Sequence, residues 1–383
     1  MSQAGKNGSG ANGPMILALF TELLSTGGVQ FAGRQTAAVL AELADERKLS
    51  YRFLSLNDPG SEHELSFGSM RFRFRGFARG KAQFSRAGIQ GAAGRAGFVV
   101  AGHPHLAPPA AAVKMISPKR RMLVMAHGVE VWNPMTRIRR AALRKADVLT
   151  APSGDTARKL VEIQQARRDR VSLLPWSIDP ELWALAQSAK RERPAGLPAG
   201  RIVLTVGRWM SSERYKGLDH LIRAVAVIRR DVPDIMLVAV GAGDDLPRLQ
   251  ALARDAGVTE RVNFLAKVSR EELAGCYAHC DLFALPSAGE GFGLVFLEAM
   301  AFGKPVIGGA HGGTPDVVQD GSVGYLVRHE DAEQLCAAMK KLLVDGTLRG
   351  EMGARGRELV RSHFLLEHFK TRLARCLDTP CEF

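Results

Sequence analysis

Short apolar runs of strand length alternate with helix-period stretches along this chain, and the alternation stops once and then restarts. In the first half the runs are residues 15–20, 51–56, 98–101, 122–126, 148–151 and 171–174, with helical periodicity over 30–43, 137–145 and 155–164. A charged, then Pro- and Gly-rich stretch follows at 187–200 (QSAKRERPAGLPAG). After it, runs at 202–206, 235–240, 262–265, 282–285 and 305–307 alternate with helices over 217–230, 246–256, 270–279 and 294–302. Two amphipathic helices, 332–344 and 351–376, close the chain. Such alternation specifies βαβ units around a parallel sheet. The restart predicts an α/β protein of two doubly wound, Rossmann-like domains, at 14–186 and 201–362, with residues 187–200 as the linker. A chain of 383 residues is long enough to bury two cores. Two such domains facing one another make a cleft at the carboxyl ends of their sheets, which is where ligands bind in this class.

Charge is distributed unevenly. Residues 1–190 hold 27 Lys and Arg against 14 Asp and Glu, whereas residues 191–383 hold 25 of each, so the whole excess of +13 belongs to the first half. It is densest at Arg71, Arg73, Arg75, Arg79, Lys81, Arg86 and Arg95, with Phe72, Phe74, Phe77 and Phe84 interleaved, and continues through Lys119, Arg120, Arg121, Arg137, Arg139, Arg140, Arg144 and Lys145. Three readings fit: a solvated face, a nucleic-acid surface, or attraction to an anionic membrane. No nucleic-acid recognition module is visible. The membrane reading is preferred, because each basic residue near an anionic surface contributes about 1 kcal/mol and interleaved Phe can enter the interfacial layer. No apolar run is long enough to span a bilayer. Residues 1–13, polar and Gly-rich, read as a disordered leader. The five cysteines lie in the second half without a C-x-x-C pair, and read as reduced thiols, Cys276 and Cys280 being buried one helical turn apart.

The chemistry concentrates in residues 287–313, SAGEGFGLVFLEAMAFGKPVIGGAHGG. Glu290 and Glu298 stand eight residues apart with Gly291-Phe292-Gly293 between them. The glycines let the backbone bend and approach a ligand closely. A helix from Leu294, stopped by Gly303 and Pro305, would aim its first, unpaired amides at an anion in the turn. A fully helical step of that length covers about 12 Å. One carboxylate could then hold a sugar hydroxyl and the other a ribose diol, across a diphosphate. Arg208, after the strand 202–206, and Lys216, opening the next helix, can converge on the same diphosphate.

These residues resemble the E-x7-E signature of retaining glycosyltransferases of the GT-B fold, in the large family 4-like group, and the resemblance extends over nearly the whole chain. It implies a hexosyltransferase that uses a nucleotide diphosphate sugar, and an acceptor saccharide, lipid-linked in the reading preferred here, in polysaccharide assembly. GRW…ERYKG is similar to the family's G-R…K-G phosphate pair. By resemblance, Glu298 meets the ribose, Glu290 the transferred sugar, the amides of Gly293 and Leu294 the distal phosphate, and Val268 lies where main-chain contacts hold the base, uracil or guanine. Gly27-Gly28 resembles the Gly-rich loop after the first strand, so Gly28 joins the donor site. His127, in HGVEVW, matches a histidine that assists catalysis beside the transferred sugar. Glu130 is placed to orient it or to bind acceptor hydroxyls, and His103 and His105 are further acceptor-side candidates. Trp176-Ser177 departs from the family's usual Asn-Gly, and Asp316 stands where Glu is more usual. No D-x-D occurs. The resemblance thus implies a metal-independent reaction with no cofactor beyond the donor, in which Arg208, Lys216 and helix amides stabilise the leaving diphosphate. It also implies retention by a front-face route and a segment from His363 that returns to the first domain. The protein is expected to be cytoplasmic, held peripherally at the inner membrane face by its N-terminal domain, and not bound to nucleic acid. A sugar-nucleotide epimerase, a retaining phosphorylase and a transferase with a soluble acceptor are the competing readings.

Overall fold

The computed structural model describes residues 13–92, 97–188 and 192–379. Nearly all of the expected leader, Arg95, Cys381 and residues 189–191 of the expected linker lie outside the described residues. The chain divides into two compact units, the first ending at Trp176 and resuming at Phe369, the second running from Ser177 to His368.

The first unit contains, in chain order, β1 (Met15–Phe20), α1 (Gly28–Glu46), β2 (Ser50–Ser55), β3 (Glu62–Phe67), β4 (Met70–Gly76), α2 (Lys81–Ala92), β5 (Gly97–Ala101), α3 (Ala107–Ile116), β6 (Arg121–Met125), α4 (Arg137–Leu143), β7 (Val148–Ala151), α5 (Gly154–Glu162) and β8 (Val171–Leu173). Its eight strands are ordered β3-β4-β2-β1-β5-β6-β7-β8, all parallel except the β3–β4 pair. All six residues of β1 are buried, as a strand covered by helices on both faces requires. The strand order reverses between β1 and β5, so the loops leaving those two strands diverge and open a crevice at their carboxyl ends. Gly27 and Gly28 follow β1, His103 follows β5, and His127 follows β6.

The second unit contains α6 (Pro180–Gln187), β9 (Arg201–Val206), α7 (Leu218–Ile228), β10 (Ile235–Val240), α8 (Leu246–Asp255), β11 (Val262–Leu265), α9 (Arg270–His279), β12 (Leu282–Leu285), α10 (Leu294–Ala301), β13 (Val306–Gly309), β14 (Gly324–Val327), α11 (Ala332–Val344), α12 (Gly346–His363) and the start of α13 (Leu366–Asp378). The sheet is parallel throughout in the order β11-β10-β9-β12-β13-β14. Its reversal falls between β9 and β12, the strands whose loops carry Arg208–Lys216 and Glu290–Gly293.

Three expectations change. The division between units falls at Trp176–Ser177, earlier than the stretch 187–200, because α6 packs on α9 and α10 of the second unit. Arg270 there pairs with Asp179 at 3.1 Å and with Glu181, and the Ile178 amide donates to the Phe364 carbonyl at 2.8 Å. The long closing helix is broken at Phe364, which is buried against Phe292 with ring centroids 6.0 Å apart, and only from Phe369 does the chain join the first unit. There Lys370 pairs with Glu42 and Glu46, and Arg47 with Asp378.

The basic, Phe-interleaved stretch also does not present the rings of Phe72, Phe74 and Phe84 to lipid. It folds as β4 and α2, and strand alternation sends Phe72 and Phe74 inward, each 1% exposed, with Phe84 buried in α2. Those rings line the core and cannot enter a membrane. Arg71, Arg73 and Arg75 occupy the opposite, exposed face, where Glu64 of β3 pairs with Arg73 at 2.8 Å and Glu62 lies opposite Arg75 in the register. Cys276 and Cys280 are buried, and burial pushes their thiols up to about 11 and about 12, which makes them poor nucleophiles and metal ligands.

Candidate functional site

In the second unit the loop after β9 makes a short 3₁₀ turn over Ser211–Lys216 before α7. The turn is pinned from outside: Asp244 accepts from the Ser211 amide at 2.6 Å and from its hydroxyl at 2.9 Å, and Asp245 pairs with Arg214 at 3.1 Å. Within it, Glu213 departs from helical backbone (φ −119°, ψ 27°) and places its carboxylate between the two expected cations. Arg208 donates to Oε1 at 2.5 Å, and the Lys216 ammonium lies 3.0 Å from Oε2 as an ion pair rather than an aligned hydrogen bond. The structure therefore brings Arg208 and Lys216 to one place, as the sequence predicts, and adds an acid between them.

The loop after β12 reaches the same place. Ala288 donates its amide to the Tyr215 carbonyl at 2.7 Å, which ties the two switch-point loops together. Glu290 follows, with its Oε1 buried and without a hydrogen-bond partner. Burial raises its carboxyl above the ordinary range, Lys216 and Arg208 oppose the rise, and Glu213 adds to it. The Tyr215 phenol is raised too, by burial and by the same two carboxylates. The loop after β13 closes over this group: Gly313 donates to the Glu290 carbonyl at 2.7 Å. Gly312 (φ 64°) lies so close that a Cβ there would sit 2.6 Å from the Glu290 backbone. Thr314 of this loop is buried, and Asp316 ends its short 3₁₀ turn.

α10 starts at Leu294 from Gly293, whose left-handed backbone (φ 100°, ψ 56°) no side chain caps. A Cβ at Gly293 would meet the Phe296 ring at 2.6 Å. The first amides of α10 have no partners within the helix. Gly291 lies in the bend before them, while the Phe292 side chain turns into the core onto Phe364. Glu298, one helical face further on, accepts a hydrogen bond from the Tyr277 hydroxyl at 2.7 Å through Oε2. Burial pushes its carboxyl up to about 7, the Tyr277 bond and Arg270 pull it down, and Asp179 adds to the rise. Val268 lies half-buried in the loop between β11 and Ser269, whose side chain caps α9.

The first unit carries a different cluster. The His127 ring is 4% exposed; its Nε2 lies 2.7 Å from the Gly102 carbonyl, which can only accept, so Nε2 carries a proton and Nδ1 is the nitrogen that presents a lone pair in the neutral ring. That Nδ1 is buried without a hydrogen-bond partner. His103 stacks on His127 at 5.5 Å, and Trp176 lies 5.6 Å from it. The indole fills the space beside Gly28, where a Cβ would come within 4.0 Å of it. His103 accepts the His105 amide on Nδ1, and burial, with neighbouring His127, His105 and Arg139, drives its pKa down to about 2. His105 is exposed and also lowered, by partial burial first and then by Arg139. Glu130 does not orient the His127 ring. Its Oε1 accepts from the backbone amides of His127 at 2.6 Å and Gly128 at 3.3 Å, so it holds the loop that carries the ring. Among the described residues no cluster of three or more His, Cys, Asp or Glu is arranged to hold a metal ion.

Sequence reading missed Glu213, Tyr277 and the role of Trp176. Glu213 had a signal, since it precedes Lys216 by three residues within ERYKG. Tyr277 had none, because only the folded chain brings its hydroxyl, 21 residues away in sequence, to Glu298.

The family described as Glycosyl transferases group 1 matches residues 189–359. The chain is 36% identical over 267 residues to the GDP-mannose-dependent alpha-(1-6)-phosphatidylinositol monomannoside mannosyltransferase of Mycolicibacterium smegmatis, covering 66% of this chain and 67% of that one. It is 35% identical over 233 residues to the D-inositol 3-phosphate glycosyltransferase of Stackebrandtia nassauensis, covering 58% of this chain and 52% of the relative. Among solved structures, Anabaena HepE in complex with UDP superposes with a TM-score of 0.74 at 18% identity, over 95% of this chain and 99% of that one, and shares its fold. With two parallel-sheet units and this degree of kinship, the chain belongs to the group 1 glycosyl transferases and has the GT-B fold.

Proposed function

We propose that the protein moves a hexose from a nucleotide diphosphate sugar to a lipid-linked acceptor saccharide, with retention of the anomeric configuration and without a metal ion. The observation that carries this reading is Glu290 Oε1, buried and unpartnered beside Arg208 and Lys216. An orphaned buried acceptor costs free energy until a donor such as a sugar hydroxyl reaches it. Arg208 and Lys216 neutralise the diphosphate as it leaves, and the amides of Gly293 and Leu294 hold its distal phosphate. Glu298, steadied by Tyr277, takes the ribose hydroxyls, and the main chain about Val268 takes the base. His127 Nδ1 accepts from a hydroxyl of the transferred sugar near Gly28, while His103 and His105 serve the acceptor as neutral imidazoles. The acceptor hydroxyl forms its bond to the anomeric carbon on the face from which the phosphate oxygen departs, and that oxygen receives the proton.

GDP-mannose is the first donor to test, because the mycobacterial relative is named for it. The lipid-linked acceptor rests on that relative's phosphatidylinositol-based substrate and on the basic excess of residues 1–190. It implies peripheral binding at the inner face of an anionic membrane. Ile138, 74% exposed between Arg137 and Arg139, and Val129, 54% exposed, offer the apolar side chains that the buried Phe72 and Phe74 cannot. Labelled GDP-mannose and UDP-glucose, offered with and without membrane lipid and with EDTA present, test the whole reading. Release of nucleotide diphosphate and an α-linked product are expected. No release from any sugar nucleotide would defeat it, as would an inverted product.

A further inference from the structure

Glu213 is the strongest charge in the site that the proposed mechanism leaves unused. Its two oxygens each meet one cation, Oε1 on Arg208 at 2.5 Å and Oε2 beside Lys216 at 3.0 Å. The carboxylate and the ammonium are largely buried, 14% and 13% exposed, whereas Arg208 is 68% exposed. A carboxylate with one oxygen on each of two cations reproduces what a bridging phosphate would do there. Asp244 and Asp245 fix the turn on either side of Glu213, through Ser211 and Arg214, so the backbone that carries its carboxylate is held in place.

With Glu213 and Glu290 both ionised, the two acids balance Arg208 and Lys216, and the seat has no net charge to offer a diphosphate. An incoming diphosphate needs the same two cations. We propose that Glu213 is an internal stand-in for the donor's diphosphate: it holds Arg208 and Lys216 together in the ligand-free protein and is displaced when the sugar nucleotide binds. It is a positioning residue that competes with the ligand, keeping donor affinity moderate and returning to its cations as the nucleotide diphosphate leaves. The inference rests on the reading of Arg208 and Lys216 as the diphosphate seat.

Inorganic pyrophosphate is the probe, since it binds that seat whatever the base or sugar. Its dissociation constant is measured by calorimetry for the wild type, Glu213→Gln, Glu213→Asp and Arg208→Ala. Removing a competing charge and removing a binding charge act in opposite directions. Glu213→Gln should bind pyrophosphate about tenfold more tightly, and Arg208→Ala about tenfold more weakly. In steady-state assays Glu213→Gln should lower the donor KM and the product inhibition constant together. A carboxylate that merely props the cations would instead make Glu213→Gln weaken binding, as Arg208→Ala does, and that result, or no change, overturns the proposal. Glu213→Asp keeps the charge and shortens the reach, and should show a smaller gain. If Glu213→Gln fails to fold, the Asp variant decides, and no gain from it overturns the proposal. Should Arg208→Ala leave pyrophosphate binding untouched, the diphosphate seat itself is misassigned and both readings fall.

Discussion

The two switch points of this chain are built with opposite electrostatics. Between β9 and β12 stand four ionisable groups, Arg208, Glu213, Lys216 and Glu290, paired or poised against one another. Beside β1, β5 and β6 the cluster is made of imidazoles and an indole beside glycine, with Glu130 and Arg139 at its edge, and burial first, then His127, His105 and Arg139, lower the pKa of His103. A charged ligand needs charges to replace the water it loses, whereas an uncharged sugar ring can also be met by neutral acceptors and a flat face. The same sheet architecture therefore yields two kinds of seat, and the loop chemistry, not the fold, sets which is which.

Glu290 offers the sharpest test of that division. If its partner is the transferred sugar, as proposed, replacing it with Ala should lower kcat about a hundredfold while nucleotide affinity changes little, because such an interaction tightens toward the transition state. Equal losses in kcat and in nucleotide diphosphate binding would place Glu290 on the phosphates and not on the sugar. Arg208→Ala and Lys216→Ala should each lower kcat/KM about thirtyfold, near 2 kcal/mol. Activity in EDTA is expected to be unchanged for the wild type, and rescue of either variant by Mg²⁺ would show that the seat accepts a metal in place of a side chain.

On the neutral side, His127→Ala should lower kcat about twentyfold, because it removes a buried acceptor already committed by the Gly102 contact to the right tautomer. His127→Asn restores an acceptor and should recover part of the loss. Across pH 5 to 9 no inflection should arise from His103, and one that vanished in a His103→Asn variant would contradict the neutrality on which the comparison stands.

The charged seat was largely legible in the sequence, since strand-end Arg208, helix-start Lys216 and the Glu290–Glu298 spacing all lie within short stretches of chain. What could not be read was whatever depended on packing between distant elements: Tyr277 on Glu298, Phe364 on Phe292, Trp176 on His127. The β3–β4 hairpin was missed for a related reason. RFRFR looks like a basic run when counted by charge, but it alternates with period two, and the alternation buries every Phe. The edge position of this pair leaves the arginines in solvent, where Glu62 and Glu64 across the strands offset part of their charge.

Glu298 carries the pH prediction. Burial raises its carboxyl to about 7 in the folded protein, above the ordinary value it has when unfolded. The folded state thus retains a proton that the unfolded chain gives up. The group's stabilising contribution is full below the usual carboxylate range and is lost as pH rises through 7. Ribose hydroxyls prefer the ionised acceptor, so nucleotide binding should run the other way, tightening about tenfold between pH 6 and 8. Glu298→Gln should flatten both profiles. A wild-type binding curve that is flat over this range would mean that the ribose is held elsewhere.

The smallest effect is expected where the sequence reading was boldest. Because the rings beside Arg71, Arg73 and Arg75 face the core, only charge is left on that strand to attract a membrane, and Arg73 is already paired with Glu64 at 2.8 Å. Exposed pairs of this kind contribute little and are screened by salt. Replacing the three arginines with Ser should therefore weaken binding to anionic vesicles no more than about fivefold, or roughly 1 kcal/mol, with donor hydrolysis unchanged. Ile138→Ser, in the apolar and basic stretch at the start of α4, should cost more, because a side chain 74% exposed can enter the interfacial layer while Phe72 cannot. Co-sedimentation with anionic and neutral vesicles ranks the two surfaces. A larger loss from the arginine variant would return the membrane contact to β4, and equal binding to both lipid types would leave the basic half a solvated face.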